Sequence, residues 1–295
     1  MGTILILGRS EDDFCRLMCD QLCQMGRGVL FVVEEALFPA LCFTWRVPDD
    51  GVLRWQGKTV AFPEIDGIIS RSYGVPLSAD DFATEDGKYI SVEWHALLMA
   101  WLHRMPCPVI NRLRPELWYR VQLQVPDLLS LVPDIPLKVP RMLITTRPEE
   151  ARAFWENAGG QIYYHPANEL TRFPIFAAAD LEKLATLSAT LPLRLTERIV
   201  GTPCDAFVAG ERVTLVDPTG GLRPCVPDDL AAACTAIGAR LDLTFYRLSL
   251  VENEQGEWYC LALDRLPYFR GQSAEAQSAI VRAVAGALTA GGPGA

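Results

Sequence analysis

Two short apolar runs near the start of the chain, Ile4-Leu5-Ile6-Leu7-Gly8 and Val29 to Glu34, flank a segment that carries the marks of a helix. Ser10 is placed to cap that helix, Glu11, Asp12 and Asp13 supply an acidic first turn, and Gly26 and Gly28 stop it after about Met25. Two strands joined through a helix cannot pair as a tight hairpin, so the pattern predicts the β-α-β opening of a buried parallel sheet. No Gly-x-Gly-x-x-Gly lies between strand and helix, which argues against a dinucleotide site there.

Beyond this opening, VLRWQGKTVAF alternates around Gln56-Gly57 as a hairpin does, and DGIISRS reads as a buried strand ending in Arg71. Glu93 to Arg104 carries Leu97, Leu98, Trp101 and Leu102 at helical spacing, and PCPVINR is a short strand that ends at Asn111. Pro126, Pro133, Pro136 and Pro140 mark a seam after this first α/β domain. The second half reads as strand RMLITT, helix Pro148 to Asn157, a Gly159-Gly160 turn, strand QIYYH and a helix from Asp180 to Leu191. Two strands hinged at Gly201 follow, with Gly210 in a hairpin turn, then a helix from Asp228 to Ile237. Strands TFYRLSLVE and EWYCLALD, joined by a turn over Asn253 to Gly256, precede an Ala-rich helix and a tail, GGPGA, expected to be disordered.

Charge and composition exclude whole classes of function. With 36 acidic against 27 basic residues the formal net charge is -9, and no Lys/Arg cluster interleaved with aromatics reverses it locally, so nucleic acid is not an expected partner. No apolar stretch approaches the roughly 18 residues that cross a bilayer. The start has no signal-peptide pattern, Ile6 stands where myristoylation needs Ser or Thr, and a cytoplasmic location is expected. Nine cysteines, an odd number, then read as reduced thiols. Cys15, Cys19 and Cys23 recur every four residues on the first helix. Their thiols have the donors for a metal or cluster, while Phe14, Leu17, Met18 and Leu22 around them make the same stripe an apolar helix face, the commoner fate of free Cys. No Gly-x-Ser-x-Gly, Walker A or His-Glu-x-x-His occurs, and His95, His103 and His165 are scattered, so hydrolase and metalloprotease chemistry drop out.

Four segments, taken in order, carry a resemblance. They are NRLRPELWYRVQL, TTRPEEARAFWENAGGQIYYHP, LTERIVGTPCDAFVAGERV and IGARLDLTFYRLSLVENEQGEWYCLALDRLPYF. Together they resemble the linker, small lobe, hinge and last unit of the ATP-grasp superfamily, most closely the branch of glutathione synthetase and the ribosomal-protein and peptide-modifying ligases. The resemblance implies an α/β N-terminal domain followed by α+β small and large lobes. Its implied bounds are residues 1–112 for the first domain, 113–280 for the ATP-grasp part with the small lobe at about 140–200, and 281–295 for the end of the last helix and the tail. It also implies ADP-forming ligation, in which ATP phosphorylates a carboxylate and an amine or thiol attacks the acylphosphate. By position, Arg120, His165, Glu197 and Ile199 fall where such proteins hold nucleotide, and Asp264 falls where they hold Mg²⁺. Arg71, at the carboxyl end of a parallel strand, is the candidate for a substrate anion, a small carboxylate or a peptide.

Several positions depart from that pattern. The small-lobe Lys-Pro is His165-Pro166, and a neutral imidazole offers phosphate no fixed charge. Arg120 could replace the linker Lys as a phosphate contact. Ala262 stands where Glu is expected and Asp264 where Asn is, the preceding strand offers Tyr246 for the metal-binding Asp, and no Glu-x-Asn occurs in the stretch. A glycine-rich loop is also missing after Pro166, where the chain reads ANELTRFPIF. The expectation is an ATP-grasp-like protein with a degraded ligase site, ATP and Mg²⁺ held weakly or lost, that binds a substrate or pairs with a partner biosynthetic enzyme. The alternative is a divergent ligase joining a carboxylate to an amine or thiol, with Glu252 or Glu257 as an added metal ligand. Homo-oligomers are common among superfamily relatives. Four of the site residues also have a plain structural reading: a salt bridge for Arg71, an exposed edge for Glu197, a partly buried imidazole for His165 and a strand-end ion pair or turn for Asp264-Arg265.

Overall fold

The computed structural model describes residues 2–33, 40–47, 50–71, 84–112, 117, 122–166, 172–188, 191–269 and 271–290. The chain divides into two compact units, Met1–Val121 with Asp205–Arg247 and Asp264–Ala295, and Gln122–Cys204 with Leu248–Leu263. No helix among the described residues is long and apolar enough to cross a membrane.

The first unit opens as the apolar runs dictate, with β1 (Thr3–Gly8), α1 (Asp13–Gln24) and β2 (Gly28–Val33), the strands parallel. A meander of β3 (Cys42–Arg46), β4 (Asp50–Trp55) and β5 (Lys58–Ala61) follows, its second turn made by Gln56 and Gly57 at φ 47° and 78°. Both residues are left-handed, as a two-residue primed turn requires. β6 (Ile65–Ser70), α2 (Glu85–Arg104) and β7 (Val109–Ile110) complete a parallel sheet of order β2-β1-β6-β7. β1 is buried on both faces: Ile4 and Ile6 pack with Phe14, Met18 and Leu22 of α1, while Leu5 and Leu7 pack with Trp101 and Leu102 of α2.

Two details differ from the sequence expectation. The cap of α1 is Asp12, not Ser10: its Oδ1 accepts the Phe14 amide at 3.0 Å while Oδ2 accepts Arg71 Nε at 2.6 Å, and the two demands together fix where the helix starts. Helix α2 begins at Glu85, eight residues earlier than its apolar periodicity, capped by the Thr84 hydroxyl accepting from Gly87 N at 3.0 Å. Tyr89 and Val92 in those early turns are exposed, so they add nothing to the apolar stripe that marks a helix in sequence. The thiol stripe also resolves. Each four-residue step along a helix advances about 40° beyond a full turn, so Cys15 is buried, Cys19 half-buried and Cys23 exposed. Burial pushes the Cys15 and Cys19 thiols up, Cys19 to about 11.

The second unit begins with β8 (Gln122–Gln124) and α3 (Val125–Leu131), then alternates β9 (Met142–Thr145), α4 (Pro148–Asn157), β10 (Ile162–His165), β11 (Phe173–Ile175), α5 (Ala178–Ser188) and β12 (Leu193–Glu197). Strands β9 to β12 form an antiparallel sheet of order β11-β10-β12-β9. Ile162, Leu193 and Leu195 on one face pack with Ala151 of α4 and Leu181 and Leu184 of α5. Alternation places Met142, Ile144, Tyr163, His165, Arg194 and Thr196 on the other face.

The rest of the chain supplies β13 (Gly201–Ala209), β14 (Arg212–Val216), α6 (Asp228–Leu241), β15 (Phe245–Asn253), β16 (Trp258–Asp264) and α7 (Ala274–Ala290). In the first unit, Asp205–Ala209 pairs antiparallel with β14. Helix α7 packs Ile280, Val281, Val284 and Leu288 into the same core as Ile4, Phe14 and Phe245. In the second unit, Leu248–Asn253 of β15 lies beside β16, with β8 on its far side. At the start of β13 a Cβ on Gly201 would lie 2.1 Å from the Glu252 carbonyl oxygen, so only glycine lets the two backbones approach.

Asn111 closes the first unit. Its Nδ2 donates to the carbonyls of Phe245 (2.6 Å) and Arg265 (3.0 Å), and its Oδ1 accepts from the amides of Thr244 (3.0 Å) and Phe245 (2.8 Å). Arg112 beside it donates to the carbonyls of Leu102, His103, Met105 and Cys107 at 2.6 to 2.9 Å, satisfying the C-terminal end of α2. Asn111→Ala strips partners from buried backbone groups at a cost of about 3 kcal/mol or more. A urea titration should show that loss as a lower midpoint at unchanged slope, and a change below about 1 kcal/mol would contradict this account.

Candidate functional site

A cavity of about 270 Å³ opens in the second unit where the open face of its sheet meets the Glu197–Gly201 segment. Tyr163 and His165 reach it from β10, Thr196 and Glu197 from β12, and Arg172, Arg198 and Ile199 from the segments beside them. Three of the residues singled out in the sequence, His165, Glu197 and Ile199, thus line one cavity. Arg120 lies outside the described residues, and Arg71 and Asp264 belong to the first unit.

The lining of this cavity mixes charged and neutral groups. Burial, with the Arg194 and Arg172 guanidinium groups close by, pushes the His165 imidazole down to about 4, so it carries no charge near neutral pH. The Arg172 guanidinium stacks on the Tyr163 ring at 4.6 Å and brings a cation to the lining. Arg198 donates to the Gln161 side chain at 2.8 Å and lies over Phe176 at 5.0 Å. Glu197 is engaged by Arg141, accepting its amide at 2.8 Å and its Nε at 2.6 Å. His165 Nε2 and Thr196 Oγ1 are buried without a hydrogen-bond partner among the described residues. The lining thus offers two arginines, Arg172 and Arg198, a carboxylate already held by Arg141, a neutral imidazole and a hydroxyl.

In the first unit, Arg71 is 4 % exposed and paired with Asp12; it also donates Nη2 to the Pro267 carbonyl at 3.0 Å and stacks on Phe14 at 4.6 Å. Its structural reading therefore has direct contacts behind it. Asp264 accepts the Leu266 amide on Oδ1 at 2.9 Å, making a strand-end turn, and Arg247 Nη2 on Oδ2 at 3.2 Å. The other nitrogen, Nη1, reaches Asp205 Oδ2 at 3.3 Å, so one guanidinium bridges two carboxylates.

This arrangement corrects the reading of the preceding strand. Tyr246 does not face Asp264; its hydroxyl donates to the Cys234 carbonyl at 2.6 Å and its ring fills the place a Cβ on Gly238 would take. Arg247, one residue on and therefore on the opposite face of β15, is the side chain beside Asp264. Sequence reasoning missed Arg247 and Asp205, although a charge inside each of the apolar runs TFYRLSL and CDAFVA was the available signal. The donor set does not fit Mg²⁺, because Asp205 and Asp264 already share a fixed guanidinium. Among the described residues no group of three or more His, Cys, Asp or Glu side chains is arranged to hold a metal ion. Glu257 is bound to Lys138 Nζ at 2.5 Å and accepts from the Asn253 side chain at 2.9 Å.

The depressed His165 value has a measurable consequence. An unfolded imidazole protonates near 6.5 and the folded one only near 4, so below 6.5 the unfolded state binds more protons and the fold loses stability as pH falls through that window. The His165→Gln variant should lose less stability than the wild type between pH 6.5 and 4. Identical pH profiles from urea titrations of the two proteins would refute the buried neutral imidazole.

No protein-family model matches the chain, and no curated protein matches it in sequence. Solved structures do match in fold. The chain is similar to a RiPP-associated ATP-grasp ligase from Chryseobacterium gregarium, solved with ADP and a leader and core peptide, at 16% identity and a TM-score of 0.76 over 99% of this chain and 98% of that one. It is similar to the ATP-grasp ligase PsnB, solved with a minimal precursor, Mg and ADP, at 20% identity and a TM-score of 0.76 over 97% of each chain. It is also similar to the macrocyclase MdnC from Microcystis aeruginosa MRC, solved with the precursor peptide MdnA, at 14% identity and a TM-score of 0.74 over 96% of this chain and 99% of that one. From end to end, this chain has the fold of the ATP-grasp ligases.

Proposed function

We propose that the chain is an ATP-grasp-fold protein whose ligase chemistry is lost, and that it binds a peptide as a non-catalytic partner in the biosynthesis of a modified peptide. The observation that carries this reading is the Arg247 bridge between Asp205 and Asp264. Phosphoryl transfer from ATP to a carboxylate gathers several negative charges, and catalysis rests on cations placed around them. A guanidinium already paired with two carboxylates has no positive charge to spare for a polyphosphate, and it stands between the two groups that a charge-neutralising metal would need. The neutral His165, in place of a small-lobe lysine, supports the same conclusion. The peptide is suggested by the similar structures, three of which were solved with precursor or leader peptides.

A second reading, a divergent ADP-forming ligase acting on a carboxylate and an amine or thiol, draws support from Arg172 and Arg198, which bring two cations to the cavity that Glu197 and Ile199 line. Calorimetric titration with a non-hydrolysable ATP analogue, with and without Mg²⁺, separates the two, alongside an ADP-release assay in the presence of a precursor peptide. The proposed function predicts peptide binding, no tightening of nucleotide by Mg²⁺ and no ADP. Substrate-stimulated ADP release would establish the ligase instead.

A further inference from the structure

Strands β13, β15 and β16 bring Asp205, Arg247 and Asp264 into one row within the first unit, with Nη1 3.3 Å from Asp205 and Nη2 3.2 Å from Asp264. The Asp264 side chain is 9 % exposed and that of Arg247 21 %, so the pair sits well inside the surface, where a carboxylate without a counter-charge is costly. Two carboxylates drawn together from different strands repel one another unless a cation stands between them. In this chain the cation is covalent. A guanidinium is always charged and offers a planar fork to two acceptors, whereas a divalent ion at the same place exchanges with solvent and needs six or more oxygens.

We infer that Arg247 is a built-in cation that occupies the position of a divalent metal between Asp205 and Asp264, so that this protein excludes Mg²⁺ and Mn²⁺ from that position. The inference deepens the proposed loss of ligase chemistry and rests on it, since it names the substitution responsible. Removing the guanidinium while keeping both carboxylates should uncover a divalent-cation site. Replacing it by another fixed cation should not.

The probe is Mn²⁺ alone, followed by the loss of its free-ion electron paramagnetic resonance signal on titration with protein. Arg247→Ala should bind Mn²⁺ at least tenfold more tightly than the wild type, Arg247→Lys should match the wild type, and Arg247→Ala with Asp264→Asn should lose the gain. Thermal unfolding gives a second readout should the alanine variant be too unstable to titrate: Mn²⁺ should raise its midpoint and leave the wild-type midpoint unchanged. Wild-type binding as tight as that of Arg247→Ala and abolished by Asp264→Asn would overturn the inference, as would a folded Arg247→Ala with no gain. The outcome is distinguishable from failure of the functional reading, because a wild type that excludes Mn²⁺ yet releases ADP would refute that reading alone.

Discussion

One asparagine side chain spends all four of its hydrogen-bonding positions on backbone that lies 133 to 154 residues further along the chain. Asn111 gives both amide hydrogens to carbonyls and both lone pairs to amides, so nothing in it is left unsatisfied and nothing of its size replaces it. The end of β7, the start of β15 and the residue after β16 are held at one point by it. Close by in sequence, Arg112 holds the last turn of α2, and the Asp12–Arg71 pair ties the start of α1 to the end of β6 and, through Pro267, to the chain beyond β16. The first unit is assembled from three separated stretches, and Asn111 and the Arg71–Pro267 bond join them. Asn111 is fully partnered, the condition under which burial is tolerated, and the Arg71 guanidinium is held through Nε and Nη2.

The same principle explains the row of charges on β13, β15 and β16. A strand turns alternate residues to opposite faces, so Tyr246 and Arg247 have opposite fates. Tyr246 goes under α6, with its hydroxyl on the Cys234 carbonyl and its ring against Gly238. Arg247 goes to the other side, where Asp205 and Asp264 flank it. A chain with a small acidic residue in place of Arg247 would present three carboxylates in that row; this chain presents two, held together by its own cation. The difference is one residue, and it sets the charge balance of that face.

In the second unit the sheet separates its two faces in the same way. Ile162, Leu193 and Leu195 meet α4 and α5, while Tyr163, His165 and Thr196 face the cavity side, so the hydrophobic pattern that builds the unit also decides which residues are left for binding. His165 keeps a neutral imidazole because it is buried among arginines. Its neutrality comes from its surroundings and not from its identity alone. Glu197, which as a sequence position could have met a ligand, has its carboxylate on Arg141.

What the sequence determined by itself was local. The β-α-β opening, the Gln56-Gly57 turn, the α4 helix from Pro148 to Asn157 and the β15–β16 hairpin follow from apolar periodicity, capping and left-handed turn residues within a few positions of one another. His165, Glu197 and Ile199 could be brought together from motif order because they lie on one antiparallel sheet and the segment leaving it. The tertiary structure decided the rest. Asp12 displaced Ser10 as the cap because Arg71, 59 residues away, also required its carboxylate. The first turns of α2 were silent because their side chains meet solvent. Arg247 could not be told from Tyr246 as the neighbour of Asp264, since a one-residue shift exchanges the two faces of a strand and only the helix packed on one of them settles which is buried.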